Sequence, residues 1–272
     1  MCRTLGVARQ SFYRWLQCPE GIRKKEDKKL LHEIQKIFMR DRQVYGPARI
    51  ARSLRKSDIP CGETRVKRLM DEAGLKPMRR TKFKKTTNSK HARRVSPNHV
   101  NQEFNAYMAN QLWTSDIAYI HTFQGTLYLA VILDAFSRKI VGWSMNKRMA
   151  DDLVIDAFNS AWNRRRPEVG LLFHSDRGSQ YCSREFQRVL KYRKCIQSMS
   201  DTGNCYDNAI TETFFKTLRA ELTYHIKFKD RGEARKEIFC YIELFYNRVR
   251  LHSSIDYCSP EEYECAEMKE AA

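Results

Sequence analysis

The order in which the apolar residues change their spacing limits the fold of this chain more than any other feature. Residues 112–122 alternate apolar and polar side chains as a strand does, and residues 127–134 and 139–145 predict two further strands. Because the connections are short, the three strands are expected to form an antiparallel meander. Helical spacing then follows over residues 150–165.

The next segment alternates single strands with helices. It predicts a short strand over residues 171–173, a helix over 183–192, a strand near 196–199 and a helix from about 208 to 222. Three strands, helix, strand, helix, strand, helix is the order of the ribonuclease H-like fold, an α/β fold with a mixed five-stranded sheet. In this topology the first strand is central and the fourth lies beside it. We therefore expect such a core over residues 105–225.

Three carboxylates fall on the elements that this topology brings together. Asp116 lies midway along the first strand, Asp176 ends the fourth strand, and Glu212 lies near the start of the last helix. Converging carboxylates repel each other unless cations neutralise them, and oxygen ligands select Mg²⁺ or Mn²⁺. Two such ions support phosphodiester displacement. Taken singly, each acid is more simply a turn residue or a solvated charge.

The net charge of the chain lies in its N-terminal third. The formal charge is +18, and residues 1–100 hold 27 of the 50 Lys and Arg side chains but only 9 of the 32 Asp and Glu side chains. Such a surface attracts nucleic acid, whereas a solubilising face would mix both signs. Residues 77–100 carry ten basic side chains, two of them His, and no acid, which predicts a basic linker over 77–104. Its expected phosphate contacts are Arg79, Arg80, Lys82, Lys84 and Lys85.

Short helices precede this linker. Residues 1–20 are predicted to contain the second half of a helix-turn-helix with Phe12, Trp15 and Leu16 facing inward, or else an amphipathic helix packed on a neighbour. Residues 28–76 predict a helix-turn-helix-like DNA-binding domain of three short helices, with a plain three-helix bundle as the alternative. The expected DNA contacts on its last helix are Arg65, Lys67 and Arg68.

The nine cysteines indicate neither a zinc site nor a disulfide framework. None of them forms a C-x-x-C pair, and their number is odd. Scattered cysteines without a signal peptide are typical of reduced thiols in a cytosol. The longest apolar run, residues 127–133, is too short to cross a bilayer. We therefore expect a soluble cytoplasmic protein without a membrane partner.

Five motifs carry a resemblance to a known family. They are WTSDIAYI, LDAFSRKIVGW, HSDRGSQY, SMSDTGNCYDNAITETFFKTLRAEL and YNRVRLHSSIDYCSPEEYE. In this order they resemble the second-frame (OrfB) transposases of the insertion-sequence-3 family, which are relatives of retroviral integrases in the DDE class. The resemblance implies that Asp116, Asp176 and Glu212 are the catalytic, metal-binding triad, with Mg²⁺ or Mn²⁺ as the cofactor and two ions per site. It also implies that Arg219 holds a DNA phosphate and that Lys216 assists.

The last motif leaves two interpretations open. It lies in a C-terminal helical extension of the core, predicted over residues 226–272. Either its polar residues position DNA, or its apolar residues Tyr246 and Leu251 close the core. The polar residues concerned are Asn247, Arg250 and His252.

The resemblance also implies a reaction and its partners. A transposase of this family cleaves DNA at the ends of an insertion sequence and joins the exposed 3′-OH to another phosphodiester, through a circular DNA intermediate. Because joining two ends needs two catalytic subunits, a DNA-bound dimer or higher oligomer is expected. The start of the chain inside an apparent helix-turn-helix agrees with an upstream OrfA-type partner or a frameshifted fusion to it. A simple metal-dependent nuclease and a non-catalytic DNA-binding regulator of transposition remain as alternatives.

Overall fold

The computed structural model divides the chain into two compact units. The described residues are 2–17, 21–78, 95–101, 104, 106–201 and 208–270. One unit is Met1–Met78 and the other is Arg79–Ala272. The predicted phosphate contacts of the linker, Arg79, Arg80, Lys82, Lys84 and Lys85, lie outside the described residues.

The N-terminal unit is helical in the part that the structure describes. Its helices are α1 Arg9–Gln17, α2 Ile22–Arg40, α3 Pro47–Lys56 and α4 Glu63–Glu72. The apolar faces of α2, α3 and α4 meet in one core, which buries Ile34, Phe38, Ile50, Leu54, Val66 and Leu69. Pro47 stands at the first position of α3, where its missing N–H leaves no hydrogen bond unmade.

Helix α2 begins earlier than the unit predicted over residues 28–76. The added turns, from Ile22 onward, consist of charged residues that favour a helix but show no apolar spacing. Asp27 in these turns accepts hydrogen bonds from Arg65 and Arg68 of α4. The extension is therefore stabilised by a tertiary contact rather than by an apolar face.

The prediction that α1 buries Phe12, Trp15 and Leu16 is wrong. No side chain of α1 is buried, and Trp15 and Leu16 remain 58% and 50% exposed. The ring of Phe12 stacks on Trp15 with 6.2 Å between centroids. A short helix with one apolar face needs a second element to cover it, and the described residues supply none.

The C-terminal unit is built on a five-stranded mixed sheet. Strands β1 Leu112–Thr122, β2 Gly125–Asp134 and β3 Ile140–Asn146 form an antiparallel meander, and β4 Leu172–Ser175 and β5 Ile196–Met199 join it in parallel. The order β3-β2-β1-β4-β5 places β1 at the centre with β4 beside it. This order confirms the predicted ribonuclease H-like fold.

Helices pack on both faces of this sheet. They are α5 Asp151–Arg165, α6 Arg184–Tyr192, α7 Ala209–Leu218, α8 Arg231–Phe239 and α9 Pro260–Glu270, and π-helical turns over Arg219–Thr223 and Cys240–Tyr246 continue α7 and α8. Trp113 packs in one core with residues of α5 and α6, whereas Thr114 bonds to α7. Because successive side chains of a strand point to opposite faces, α7 lies across the sheet from α5 and α6. Among the described residues, no helix is long and apolar enough to span a membrane.

Candidate active site

The middle of β1 and the end of β4 bring two aspartates together. The two strands pair in parallel, and their last paired residues are Ser115 and Ser175. Asp116 and Asp176 follow directly, so the register puts them at neighbouring positions. β4 stops here, whereas β1 runs on to Thr122. Asp176 therefore stands in the turn that leaves the sheet beside the middle of β1.

The turn after β4 fixes the Asp176 carboxylate. The backbone N–H of Gly178 donates to Asp176 Oδ1 at 2.9 Å. A Cβ atom at position 178 would lie 2.9 Å from the same oxygen and 3.4 Å from Gln180 Oε1. Any side chain at this position would press on the carboxylate, so glycine is what allows it to lie against the backbone.

The two aspartates repel each other where water is scarce. Burial and the neighbouring Asp176 charge raise the pKa of Asp116 well above its usual value, and Glu212 adds to the rise. The N–H of Ile117, 2.7 Å from Asp116 Oδ1, and the Arg219 guanidinium act in the opposite direction. A cation that neutralises both carboxylates would relieve this repulsion.

Two hydrogen bonds hold the start of α7 against β1. Thr211 Oγ1 donates to Thr114 Oγ1 at 2.7 Å, and Asn208 Nδ2 donates to a backbone carbonyl of β1 at 3.1 Å. Thr114 and Asp116 are two residues apart and therefore lie on the same face of the strand. The bonds thus bring the first turn of α7, which carries Glu212, to the side of Asp116.

Glu212 lies at this site with its carboxylate turned to Lys216. The Lys216 Nζ and Glu212 Oε2 atoms are 3.1 Å apart, and the Lys216 side chain is 45% exposed. Burial lowers the pKa of the half-buried Arg219, and the carboxylates of Asp116 and Glu212 oppose that lowering. In the described part of the chain, no group of three or more His, Cys, Asp or Glu side chains is close enough to hold a metal ion together. The structure therefore places Asp116 and Asp176 side by side. Glu212 lies within electrostatic range of Asp116, but it does not form one ligand set with the two aspartates.

Two of the three predicted DNA contacts on α4 have an acidic partner. Arg65 and Arg68 both pair with Asp27 of α2, Arg65 at 2.7 Å. Lys67 is exposed. A phosphate contact through Arg65 or Arg68 has to compete with the Asp27 carboxylate for the guanidinium donors.

The interpretation of Asn247, Arg250 and His252 as DNA contacts is contradicted by their burial. They are 3%, 3% and 8% exposed. The Asn247 amide bonds to both the N–H and the carbonyl of Ile140, at 2.9 and 3.0 Å. Arg250 donates to both carboxylate oxygens of Glu221 at 2.7 to 3.1 Å. These side chains therefore satisfy buried polar groups. Tyr246 and Leu251, 3% and 4% exposed, are buried in the core as the alternative interpretation predicts.

Two supporting contacts of the site escaped the sequence analysis. Ser115 Oγ and the Tyr181 hydroxyl lie 2.8 Å apart, in the strand and the turn next to the aspartates. Arg177 donates to the Ser200 carbonyl at 2.6 Å and pairs with Asp201 at 3.0 Å. Each contact joins residues that are far apart in the sequence, so only the folded chain reveals it.

Three stretches of the chain match known domain families. An integrase core domain matches residues 106–205, and a second integrase core domain matches residues 212–268. An HTH-like domain matches residues 25–83. The first match contains Asp116 and Asp176, and the second begins at Glu212.

Curated relatives align over most of the chain. The transposase for insertion sequence element IS904 of Lactococcus lactis subsp. lactis is 45% identical over 86% of this chain and 93% of its own length. The uncharacterized 31 kDa protein of insertion element IS600 of Shigella sonnei is 41% identical over 96% of both chains. Transposase InsF for insertion sequence IS3A of Escherichia coli is 39% identical over 97% of this chain and 92% of its own length.

Solved structures are more distant. A chain of the simian T-cell lymphotropic virus intasome is 13% identical with a TM-score of 0.49, covering 85% of this chain and 74% of that chain. The HTLV-2 integrase catalytic core domain in complex with magnesium is 17% identical with a TM-score of 0.45, covering 59% of this chain and 99% of that chain. At this distance they add nothing to the strand order described above.

Proposed function

We propose that this chain, which belongs to the insertion-sequence-3 (IS3) family of transposases, uses Asp116, Asp176 and Glu212 to hold the divalent cations of its reaction. Its relatives and its integrase core make it a DDE-type polynucleotidyl transferase, an enzyme that cleaves and joins DNA phosphodiesters. The resemblance inferred from the five sequence motifs is thereby confirmed. The assignment of the individual side chains is our proposal.

The neighbouring aspartates, in the middle of β1 and just after the end of β4, carry this assignment. Asp116 and Asp176 lie side by side in the register of the sheet, and burial opposes the charge of Asp116. Such a pair is unfavourable until a cation neutralises it. Its donors are oxygen atoms alone, which favour Mg²⁺ or Mn²⁺ over zinc. The residues present therefore fit the expected cofactor.

The three carboxylates divide the work of holding the metal. When bound, two divalent cations would activate the attacking hydroxyl and stabilise the leaving oxygen of the phosphodiester. Asp116 and Asp176 are the ligands already in place, and Gly178 keeps the second carboxylate oriented. Glu212 becomes the third ligand when its carboxylate leaves Lys216, while α7 stays anchored to β1.

Two basic side chains that follow Glu212 in the sequence, Lys216 and Arg219, are assigned to the DNA backbone. Lys216 is partly exposed, and once Glu212 leaves it, its ammonium group is available to a phosphate. Arg219 lies within electrostatic range of Asp116 and Glu212. Both side chains can therefore neutralise the phosphate next to the bond that is cleaved.

The basic N-terminal third is assigned to the remaining contacts with DNA. The HTH-like match supports DNA binding by α2, α3 and α4. Lys67 would contact a phosphate. Arg65 and Arg68 would do so after they exchange the Asp27 carboxylate for a phosphate, and the basic residues of the linker would contact phosphates as well. Because two DNA ends need two active sites, we expect a DNA-bound dimer or higher oligomer, with the upstream OrfA-type protein or its fusion as a partner.

A Mg²⁺-dependent strand-transfer assay on element-end DNA tests the assignment. Asp116→Asn, Asp176→Asn and Glu212→Gln are expected to abolish cleavage and joining while DNA binding persists, because each removes charge and keeps the side-chain size. Asp156→Asn, at an exposed position of α5, is the matched control and keeps its activity. A triad variant that still joins strands would remove that residue from the mechanism.

The same assay separates the two alternative functions. A simple nuclease would cleave pre-cut or intact ends but leave no joined product. A non-catalytic regulator would bind the ends and leave both strands intact. Either result in the wild type, with and without the upstream fusion product, would contradict the proposed reaction.

A further inference from the structure

A second group of side chains lies beside the part of β1 that continues past Asp116. Tyr119 follows Asp116 by three residues and therefore points to the opposite face of the strand. Its ring meets Tyr128 of β2 edge-on with 5.2 Å between centroids, and its hydroxyl donates to Met149 Sδ at 3.4 Å. Tyr119 and Met149 nevertheless remain 36% and 38% exposed. We call Tyr119, Tyr128 and Met149 the aromatic platform.

The platform is tied to the turn that carries Asp176. Gln180, in the same turn, donates from Nε2 to the Met149 carbonyl at 3.2 Å. Gln180 is 7% exposed, so this bond is largely shielded from water. Burial raises the pKa of Tyr119, and the charges of Asp116 and Asp176 add to the rise.

The edge of β1 next to the platform is open in the described part of the chain. β4 pairs with β1 only as far as Ser115. The next bridge on that edge joins Thr122 to Phe228. Between these points, no described strand pairs with residues 117–121 on the edge of β1 that faces away from β2. A strand of DNA that crosses this edge can therefore reach the carboxylates on one face of β1 and the platform on the other.

We infer that the platform stacks one nucleobase of the element-end strand whose phosphodiester is held at Asp116 and Asp176. This inference rests on the proposed function, which puts the reacting phosphate at those carboxylates. A phosphate there brings its neighbouring bases to the rim where Tyr119 is exposed. An aromatic face stacks on any base, and the thioether of methionine packs well against rings. Lys147 and Arg148, both exposed just before the platform methionine, supply charge for the next phosphate.

The element end is the occupant because the first step of the reaction uses that DNA alone. Cleavage at the element end requires that one particular phosphodiester of the strand, and not one of its neighbours, lies at the carboxylates. A stacked base next to the scissile phosphate fixes that register without reading sequence, since every base has a π-face. Tyr119 and Met149 are thus residues that touch substrate and position it.

Removal of the ring, combined with removal of the base, tests the inference. Tyr119→Ala is expected to reduce cleavage of an intact element end by about five- to 150-fold, which corresponds to the range known for base–aromatic stacking. Tyr119→Phe keeps the face and should retain activity. With an abasic site next to the scissile phosphate, the wild type should fall to the level of Tyr119→Ala, and the variant should lose nothing more. Phe123→Ala is the matched control, since Phe123 is a 78% exposed aromatic on the adjacent β1–β2 turn.

Fluorescence gives a readout that does not depend on cleavage. In the Asp116→Asn background, 2-aminopurine at the same position should be quenched on binding, and adding Tyr119→Ala should restore its emission. Equal losses on intact and abasic ends would show a merely structural role and overturn the inference. A loss of activity that is seen only when the abasic site lies in the target strand would also overturn the inference. A wild type that neither cleaves nor joins contradicts the proposed function, whereas failure of the platform leaves wild-type activity unchanged.

Discussion

At the scale of single residues, the proposed metal ligand Asp116 lowers the folding stability of the metal-free protein. Burial and the Asp176 charge raise its pKa well above the usual value. The folded chain therefore holds this proton more tightly than the unfolded chain, whose carboxyl is ordinary. Without metal, the stabilising effect of the bound proton is present at low pH and is lost as the pH rises through the raised pKa. Above the ordinary carboxyl pKa, the raised pKa of Asp116 therefore opposes folding of the metal-free chain.

Asp116→Asn is therefore expected to raise the melting temperature of the metal-free protein at pH 7. A gain of about 1 kcal/mol corresponds to roughly 2–4 °C in a domain of this size. Mg²⁺ should raise the melting temperature of the wild type more than that of the variant, because the variant binds the ion more weakly. Thermal unfolding with and without Mg²⁺ measures both effects. A variant that melts below the metal-free wild type would contradict this interpretation of Asp116.

Gly178→Ala tests the turn that orients Asp176. The added Cβ would lie 2.9 Å from Asp176 Oδ1, so the carboxylate has to move. We expect at least a tenfold loss of cleavage at low Mg²⁺ that higher Mg²⁺ partly restores, because metal affinity falls while the other ligands remain. Gly62→Ala, where a Cβ atom would meet nothing within 4 Å, is the control. Unchanged Mg²⁺ dependence in Gly178→Ala would argue against the role of this turn.

At the scale of elements, one buried ion pair ties the C-terminal segment to the end of α7. Arg250 and Glu221 have side chains that are 4% and 8% exposed, and the Tyr241 hydroxyl also donates to Glu221 at 2.7 Å. Glu221 belongs to the π-helical turn that starts at Arg219. The pair therefore fixes the segment that carries Arg219, and π-helical turns often occur at functional sites.

Arg250→Met is expected to destabilise the core by about 3–5 kcal/mol, because it leaves the Glu221 charge buried without its partner. Adding Glu221→Gln should recover part of that stability. Arg248→Met is the control, since Arg248 is 60% exposed and its surface pair with Glu261 is worth less than about 1 kcal/mol. Denaturant unfolding measures all three. Weaker DNA binding at full stability would instead support the DNA-contact interpretation of Arg250.

The elements themselves could be predicted where their apolar spacing is regular. The bounds of β1 and β5 agree with the sequence pattern, but β4 extends two residues past its predicted end. Hydrogen bonds of polar side chains stabilise the longer strand. His174 is fully buried, and its ring nitrogens lie 2.9 and 3.2 Å from the hydroxyl oxygens of Ser198 and Ser200. A pattern of apolar residues does not register such a buried polar network. For the same reason, the partners of Arg250 and Arg65 could not be predicted, since each lies dozens of residues away.

At the scale of the whole molecule, the charge distribution separates DNA binding from chemistry. The excess of basic residues falls before residue 100, while the carboxylates of the proposed site lie after it. Phosphate contacts release counterions, so the logarithm of affinity falls with the logarithm of salt by about 0.9 per phosphate on duplex DNA. The two functions should therefore respond to different substitutions.

Neutralising five of the basic residues of the linker tests this separation. Changing Arg79, Arg80, Lys82, Lys84 and Lys85 to Gln should make the salt dependence of DNA binding shallower by about 0.9 for each phosphate that the linker no longer neutralises. Arg235→Gln with Lys236→Gln, at exposed positions of α8, is the control. Binding measured over a series of salt concentrations gives the slope. An unchanged slope would mean that the linker does not touch phosphate.

Calorimetric titration of Mg²⁺ into the full chain bound to element-end DNA tests the central claim most directly. The wild type should bind two ions per chain, because Asp116 and Asp176 lie side by side and the proposed third ligand, Glu212, lies within electrostatic range of Asp116. Asp116→Asn, Asp176→Asn and Glu212→Gln should each weaken binding at least tenfold, while Asp156→Asn binds as the wild type does. Wild-type affinity in any of the three carboxylate variants would contradict the account.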